Sequence, residues 1–186
     1  MSPTPPPQSV FQLRIQLADT SPVVWRRILV PGSVRLPKLH DYFQAAMGWT
    51  NSHLHCFMID GKLYGMHFDD WPEDELDEKE FTIYQAVGEA RRFSYEYDFG
   101  DSWTHDVVVE ERSFQQLGLK FAVCLDAQNA CPPEDVGGVT MFGRFKETIA
   151  DPTDEKHDQY LLWVGERYDP EAFRLAAANA ALQRVR

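Results

Sequence analysis

The stretch FSYEYDFGDSWTHDVVVE, residues 93–110, decides the fold of this chain of 186 residues. Three aromatic residues alternate with polar ones at its start: Phe93, Tyr95 and Tyr97. Such alternation predicts a strand with one buried face. The segment DFGD, residues 98–101, combines Asp and Gly as tight turns do, and Val107 and Val109 repeat the alternation after it. The stretch therefore predicts a β-hairpin, with a return strand from about residue 103 to residue 111.

The segments before this hairpin predict four strands and one helix. Residues 11–17 (FQLRIQL) alternate apolar and polar side chains, and residues 23–31 (VVWRRILVP) follow after a turn. Residues 36–48 (LPKLHDYFQAAMG) place large apolar side chains on one helical stripe that ends at a glycine. Residues 53–59 (HLHCFMI) and residues 62–68 (KLYGMHF) flank an Asp-Gly turn, which predicts a second hairpin.

The rest of the chain is read from composition and turn residues. The acidic block at residues 69–80 predicts a solvated loop, residues 81–87 suit either a strand or a helix, and residues 121–126 suggest another short strand. Three helices are predicted near the end of the chain, at residues 141–150, at residues 154–165, and from Asp169-Pro170 onward.

Strands fill the first two-thirds of the chain and helices the last third, which favours an α+β fold over alternating βαβ units. We therefore predict a single α+β domain over residues 10–186. It has a mixed, largely antiparallel sheet, one early packed helix in a grasp-like arrangement, and a helical C-terminal third. Residues 1–9 are rich in proline and are predicted to be disordered.

The charge balance limits the classes of partner. The chain has 18 Lys and Arg against 29 Asp and Glu, a formal net charge of −11. This disfavours direct binding to DNA unless Arg26, Arg27, Arg91 and Arg92 form a local basic patch. No apolar run approaches the roughly 20 residues of a membrane span, and the N-terminus lacks the features of a secretory signal. The expected location is the cytoplasm, without membrane contact. Three cysteines, an odd number, predict free thiols there.

Histidines suggest one candidate for chemistry. His53 and His55 are two residues apart in a predicted strand and should share a face. Two imidazoles on one face can bind the same metal ion, and His105 offers a third. The alternative is a polar strand face, or histidines that are hydrogen-bonded in the core. A divalent metal ion is the cofactor that these residues suggest.

Carboxylates suggest the rest of a candidate site. Asp98 and Asp101 flank the turn of the hairpin, and His105 follows four residues later, so a carboxylate can orient this histidine for base or metal chemistry. Ordinary turn chemistry with a surface histidine is the alternative. In CPPEDVGG, residues 131–138, a proline pair and a glycine pair enclose Glu134 and Asp135 and can preorganise them. No phosphate-binding loop, dinucleotide fingerprint, HExxH or GxSxG motif is present.

Six segments in a fixed order resemble one known family: VVWRRILVPG, LHDYFQAAMGW, HLHCF, YEYDFGDSWTH, CPPEDVGG and WVGERYDPEAF. Together they span roughly residues 10–184 and are similar to the family named after the third open reading frame of a root-inducing (Ri) plasmid. The resemblance implies an association with plasmids and transposable elements, since some members are labelled TnpR-type resolvases or transposon passenger proteins. It implies no established activity. One departure is the exit of the CPPEDVGG segment, where this chain has VTMF at residues 139–142.

Three functions follow as hypotheses. The first is a non-catalytic accessory or binding protein, tied to a mobile element, whose partner is another protein. The second is a metal-dependent hydrolase, in which a metal held by the histidines and carboxylates activates water. The third is a nucleic-acid-associated protein. A serine recombinase is not supported, because the chain shows neither an arginine-surrounded serine nor a basic tail.

Overall fold

The computed structural model describes residues 9–66, 75–113, 118–165 and 168–185. These residues contain eight strands: β1 (Val10–Leu17), β2 (Trp25–Pro31), β3 (His55–Ile59), β4 (Lys62–Gly65), β5 (Leu76–Asp77), β6 (Arg92–Tyr97), β7 (Trp103–Ser113) and β8 (Val123–Gln128). They also contain five α-helices: α1 (Leu36–Met47), α2 (Ile83–Val87), α3 (Gly138–Ala150), α4 (His157–Val164) and α5 (Leu175–Leu182). One turn of 3-10 helix, Glu78–Glu80, follows β5. Of the proline-rich N-terminal segment the described residues include only Ser9, so its predicted disorder lies outside them.

The strands form one sheet in the order β5-β4-β3-β6-β7-β1-β2-β8. Every neighbouring pair is antiparallel except β4 and β5, which are parallel. The predicted mixed and largely antiparallel sheet is confirmed. The hairpin of β6 and β7 lies near the centre of the sheet, with Tyr97 opposite Trp103 and Phe93 opposite Val107.

One face of this sheet is the core. The alternating residues that share this face in the central strands are fully or almost fully buried: Leu13 and Ile15 in β1, Tyr95 and Tyr97 in β6, and Trp103 and Val107 in β7. Helix α1 packs on this face. The ring of its Phe43 contacts the rings of Tyr95 and Phe57, at centroid distances of 5.2 and 6.1 Å. The early packed helix is therefore present. Gly48 ends it in the left-handed conformation, at φ 104°.

The opposite face of the sheet is polar. Arg27 donates from Nε to the Glu110 carboxylate at 2.6 Å, and the Gln12 side chain donates to the same carboxylate at 2.8 Å. Arg26, the neighbour of Arg27, points the other way and is 1% exposed. The two adjacent arginines therefore do not form a common basic surface.

The last third of the chain is helical, as predicted, but the final helix begins later than the sequence indicates. The prediction of a helix from Asp169-Pro170 is wrong, since α5 begins at Leu175. Asp169 accepts the backbone N–H of Glu171 at 2.9 Å and closes only a turn. Phe173 then leaves the helical path and packs on the Arg26 guanidinium, 4.4 Å from its ring centroid.

The structure shows the conformation of two segments in the middle of the chain. Residues 83–87 form a helix, begun by a capping box between Thr82 and Gln85. Residues 69–74 of the acidic block lie outside the described residues. For residues 75–80, the predicted solvated loop is wrong. Leu76–Asp77 pairs with β4, and this pairing carries Glu78 into the interior, where it is 1% exposed. None of the helices in the described part of the chain has the length and apolar character that crossing a bilayer requires.

Candidate functional site

The tip of the central hairpin positions Asp98. This residue has a left-handed backbone, at φ 56°, and its N–H donates to the Leu54 carbonyl at 2.9 Å. Its Oδ1 accepts the backbone N–H groups of Gly100 at 3.0 Å and Asp101 at 3.4 Å. The turn thus occupies one carboxylate oxygen, and the other, Oδ2, lies 3.7 Å from Nε2 of His53. Asp98 is only 7% exposed.

The loop at residues 131–138 is held against this tip. Asp101 Oδ2 accepts the backbone N–H of Gly137 at 2.9 Å. Gly138 lies so close that a Cβ atom on it would be 2.7 Å from the Asp101 carbonyl oxygen, and its φ is 73°. A glycine at position 138 is therefore required for the contact, both by space and by backbone conformation. The Asp101 carboxylate thus serves to hold the loop.

A phenol and a backbone segment orient Glu134. Its Oε1 accepts the Thr50 N–H at 2.7 Å and the Tyr97 hydroxyl at 3.1 Å. The same hydroxyl accepts the Ser52 N–H at 2.9 Å. Burial raises the pKa of Tyr97 well above its usual range, so the phenol keeps its proton and remains a donor to the carboxylate.

His53 lies where these elements meet. Its Nε2 is 3.1 Å from Asp135 Oδ1, 3.7 Å from Asp98 Oδ2 and 4.0 Å from Glu134 Oε2. The contact with Asp135 is short but lacks hydrogen-bond geometry. Nε2 of His53 is buried and makes no hydrogen bond to any described residue. A buried nitrogen that lies beside carboxylates without a hydrogen bond is uncommon and calls for an explanation.

The spacing of these atoms suits a metal ion. Ligand atoms of His53, Asp98 and Asp135 all lie within 4.8 Å of one another. Ligand atoms about 2.0–2.1 Å from a tetrahedral zinc ion lie roughly 3.3 Å apart, close to the 3.1 and 3.7 Å measured from His53. The three residues are therefore candidate ligands of one cation.

The structure does not bring His55 or His105 to this cluster. His53 precedes β3, which begins at His55, so the two histidines do not share a strand face. His55 Nε2 instead meets Glu78 Oε2 at 2.9 Å inside the protein. His105 is fully buried, with Nδ1 3.2 Å from the Tyr95 carbonyl, and burial lowers its pKa to about 4. The proposed sharing of one metal by the three histidines is therefore corrected to His53 with carboxylates.

Sequence reasoning missed two contributors to the site. Tyr97 was assigned to packing alone, yet its hydroxyl joins Ser52 to Glu134. Thr50 was not singled out, although its N–H and hydroxyl both donate to Glu134. The polar run TNS at residues 50–52, directly before His53, is the signal that points to this role.

A cleft of about 720 Å³ adjoins the cluster. Thr50, Glu134 and Asp135 line it together with the end of α1 and residues 168–181. A bound cation would thus lie beside a space large enough for a small molecule.

Comparisons with known proteins agree with the resemblance seen in the sequence. The family described as plasmid pRiA4b ORF-3-like protein matches residues 9–177. The uncharacterized protein y4hQ of Sinorhizobium fredii (strain NBRC 101917 / NGR234) is 40% identical over 177 residues, which cover 94% of this chain and 91% of that protein. The crystal structure of a protein of unknown function, MM3350 from Methanosarcina mazei Go1, is similar with a TM-score of 0.82 and 31% identity, covering 90% of this chain and 96% of that one. This chain therefore belongs to the plasmid pRiA4b ORF-3-like protein family.

Proposed function

We propose that the protein is a cytoplasmic, cation-dependent binding protein whose cation is held by His53 Nε2, Asp98 Oδ2 and Asp135 Oδ1. The observation that carries this proposal is the buried His53 nitrogen, which faces three carboxylates without a hydrogen bond. A divalent ion would supply the missing partner of this nitrogen and offset the repulsion among the carboxylates.

The donor set indicates which cation is preferred. One imidazole nitrogen with carboxylate oxygens suits zinc or manganese, whereas calcium and magnesium favour sites made of oxygen alone. Glu134 is the nearest additional ligand, since its Oε2 lies 4.0 Å from His53 Nε2.

The cation would act by joining separate segments. The ligands come from the segment before β3, from the tip of the β6–β7 hairpin and from the loop at residues 131–138. Leu54 and Phe99, the neighbours of two ligands, are 41% and 40% exposed. An apolar pair beside a fixed loop favours a protein partner, in keeping with an accessory role. The plasmid-derived name of the family supports a link to mobile elements.

Calorimetric titration of chelator-treated, tag-free protein with zinc and manganese tests the proposal. We expect one site per chain, with a dissociation constant that rises at least about tenfold in Asp98→Asn. This variant keeps an oxygen for the turn and replaces only the charge that faces His53. His53→Ala should have the same effect.

Matched variants away from the cluster serve as controls. Asp106→Asn and His157→Ala change the same residue types elsewhere in the structure and should leave cation affinity unchanged. Absence of binding in the wild type, or equal binding in Asp98→Asn and the wild type, would refute the proposal.

A second function, a metal-dependent hydrolase, is favoured by the position of Glu134. Its carboxylate is fixed by Tyr97 and Thr50 beside the cluster and lines the cleft. A carboxylate placed in this way can take a proton from a metal-bound water. The test is hydrolysis of nitrophenyl ester and phosphate substrates by zinc- and manganese-loaded protein. Activity lost in Glu134→Gln with cation binding retained would establish it, and inactivity of the loaded wild type would count against it.

Nucleic-acid binding has the least support. The basic patch that it needs would include Arg26, which is 1% exposed, and Arg27, which is paired with Glu110. Of the four arginines of this patch, only Arg91 and Arg92 are exposed.

A further inference from the structure

The cleft beside the cluster contains a buried cation that has no anionic partner among the residues described. Arg26 lines this cleft from β2, on the buried face of the sheet. Its guanidinium is covered by the ring of Phe173, 4.4 Å away. Burying a charged group costs free energy unless the charge is paired. If the guanidinium has no anionic partner in the protein, an anion bound in the cleft can supply one.

The partners of Arg26 are backbone carbonyls only. Nε donates to the Ala46 oxygen at 2.9 Å, and Nη1 donates to the oxygens of Trp25 at 2.8 Å and Gln128 at 3.0 Å. Ala46 is in the last turn of α1, where the helix dipole favours a positive charge. These contacts hold the arginine in place and leave Nη2 without an acceptor among the described residues.

No carboxylate neutralises this arginine within the described ranges of the chain. The ionisable groups that act on it are the thiols of Cys131 and Cys124 and the phenol of Tyr168, all of which carry no charge near neutral pH. Arg174, a second cation, lines the same cleft and also lacks an ion pair in the described structure. Two arginines at one cavity of an acidic protein thus have no ion pair with any residue that the structure describes.

The remaining walls of the cleft are apolar. They include small side chains of α5, such as Ala177 and Ala181, and the aromatic side chains of Trp163 and Phe173. The carboxylates at the cleft, Glu134 and Asp135, already engage Tyr97 and His53. A volume of about 720 Å³ is within the usual range of small-molecule pockets, about 300–1,000 Å³.

We propose that this cleft binds a small organic anion with an apolar body, whose carboxylate, phosphate or sulfonate group pairs with Arg26 and Arg174. The body of the ligand packs between α5 and Trp163. Arg26 offers Nη2, the one guanidinium nitrogen without a backbone acceptor, and hydrogen bonds from a guanidinium N–H to an anionic oxygen are among the strong ones. This proposal does not depend on the cation, because neither arginine belongs to the His53 cluster.

Paired fluorescent probes test the proposal. Anilinonaphthalene sulfonate is an aromatic anion, and N-phenylnaphthylamine has the same rings without the charge. Both are titrated into the full chain in the presence of a chelator, so that failure here leaves the cation proposal untouched. We expect one sulfonate dye to bind per chain, at least roughly threefold more tightly than the neutral dye.

Variants of exposed residues locate the binding site. Arg174→Gln should weaken binding of the sulfonate dye roughly three- to fivefold and leave the neutral dye unaffected. Ala177→Leu narrows the cleft and should weaken both dyes. Arg144→Gln, on α3 outside the cleft, is the charge-matched control and should change neither.

Arg26→Met should abolish the preference for the sulfonate dye if the variant folds. Because Arg26 is buried, Arg174→Gln and Ala177→Leu carry the test if it does not. Equal affinity for the two dyes in the wild type would overturn the proposal, and so would unchanged binding in both exposed-site variants.

Discussion

His40 and His55 stack face to face in the interior, with ring centroids 3.5 Å apart and planes 3° from parallel. His55 contacts the buried carboxylate of Glu78 through Nε2 at 2.9 Å. His40 contacts the Tyr95 hydroxyl through Nδ1 at 2.7 Å and the Asn51 side-chain oxygen through Nε2 at 2.5 Å. Since the amide oxygen of Asn51 only accepts, Nε2 of His40 carries the proton and Tyr95 donates to Nδ1.

This arrangement makes stability depend on pH. Burial, with a smaller contribution from neighbouring His55, lowers the pKa of His40 from 6.5 to about 3. A folded-state pKa below the unfolded one means that the contribution of the neutral ring is present above pH 6.5 and is lost as the pH falls toward 3. His40 alone should then reduce the free energy of unfolding by up to about 1.4 kcal/mol per pH unit in this range.

Urea unfolding at pH 7, 6, 5 and 4 measures this slope. His40→Gln should show a shallower slope than the wild type, whereas His157→Gln should match the wild type. His105 adds a slope of the same sign, since burial lowers its pKa also, but it is present in all three proteins and cancels in the comparison. An unchanged slope in His40→Gln would contradict the prediction.

Removal of the buried partner of His55 should be costly. Glu78→Ala leaves the imidazole without its carboxylate in the interior, and a broken buried pair typically costs about 3–5 kcal/mol. Glu80→Ala, two residues away and exposed, should change stability by less than about 0.5 kcal/mol. Thermal and urea unfolding distinguish the two, and a loss below about 1 kcal/mol in Glu78→Ala would show that the pair contributes little.

Two glycines of the same segment should respond in opposite ways to alanine. At Gly138 the new Cβ would meet the Asp101 carbonyl oxygen at 2.7 Å, and the φ of 73° disfavours a side chain. We expect a loss of roughly 1–3 kcal/mol, and weaker cation binding because the loop at residues 131–138 shifts. Gly143 lies within α3 with no atom within 4 Å of a new Cβ, so Gly143→Ala should stabilise by roughly 0.5–1 kcal/mol. A tolerated alanine at position 138 would refute the close contact.

Loss of the Tyr97 hydroxyl alone should be costly. Tyr97→Phe leaves the Ser52 N–H without its acceptor and removes one of the donors to Glu134, which should cost about 1–3 kcal/mol in unfolding free energy. Displacement of Glu134 should also reduce cation affinity in the calorimetric titration. Tyr84→Phe is the control, because its hydroxyl has no hydrogen bond to the described residues, and it should be neutral. Equal effects of the two variants would refute the role of Tyr97.

Local patterns predicted the strands, the central hairpin and α1, because side-chain alternation and helical stripes are properties of neighbouring residues. The burial of Arg26 could also be predicted from the sequence, since Arg26 alternates with Ile28 and Val30, both buried. The burial of Glu78 could not be predicted in this way, because it follows from a pairing between β4 and β5 that no local pattern specifies.

The candidate site shows the same division. Turn and loop chemistry identified Asp98, Glu134 and Asp135. His53 was identified from its two-residue spacing to His55 in a predicted strand. Their convergence depends on β3 pairing with β6 and on the loop at residues 131–138 docking on the hairpin tip, both of which are contacts between distant parts of the chain. The strand period assigned to His53 and His55 failed because β3 begins only at His55.

The end of the sheet at β8 is closed by one side chain. Asn179 of α5 accepts the backbone N–H of Cys124 at 2.8 Å and donates to its carbonyl at 2.9 Å. A carboxamide has an N–H donor and a carbonyl acceptor side by side, as the backbone of a strand does. Asn179 therefore imitates one residue of a ninth strand. This mimicry occupies, at Cys124, the backbone groups with which a strand from another molecule would pair, and covering an exposed sheet edge is one way in which proteins limit aggregation.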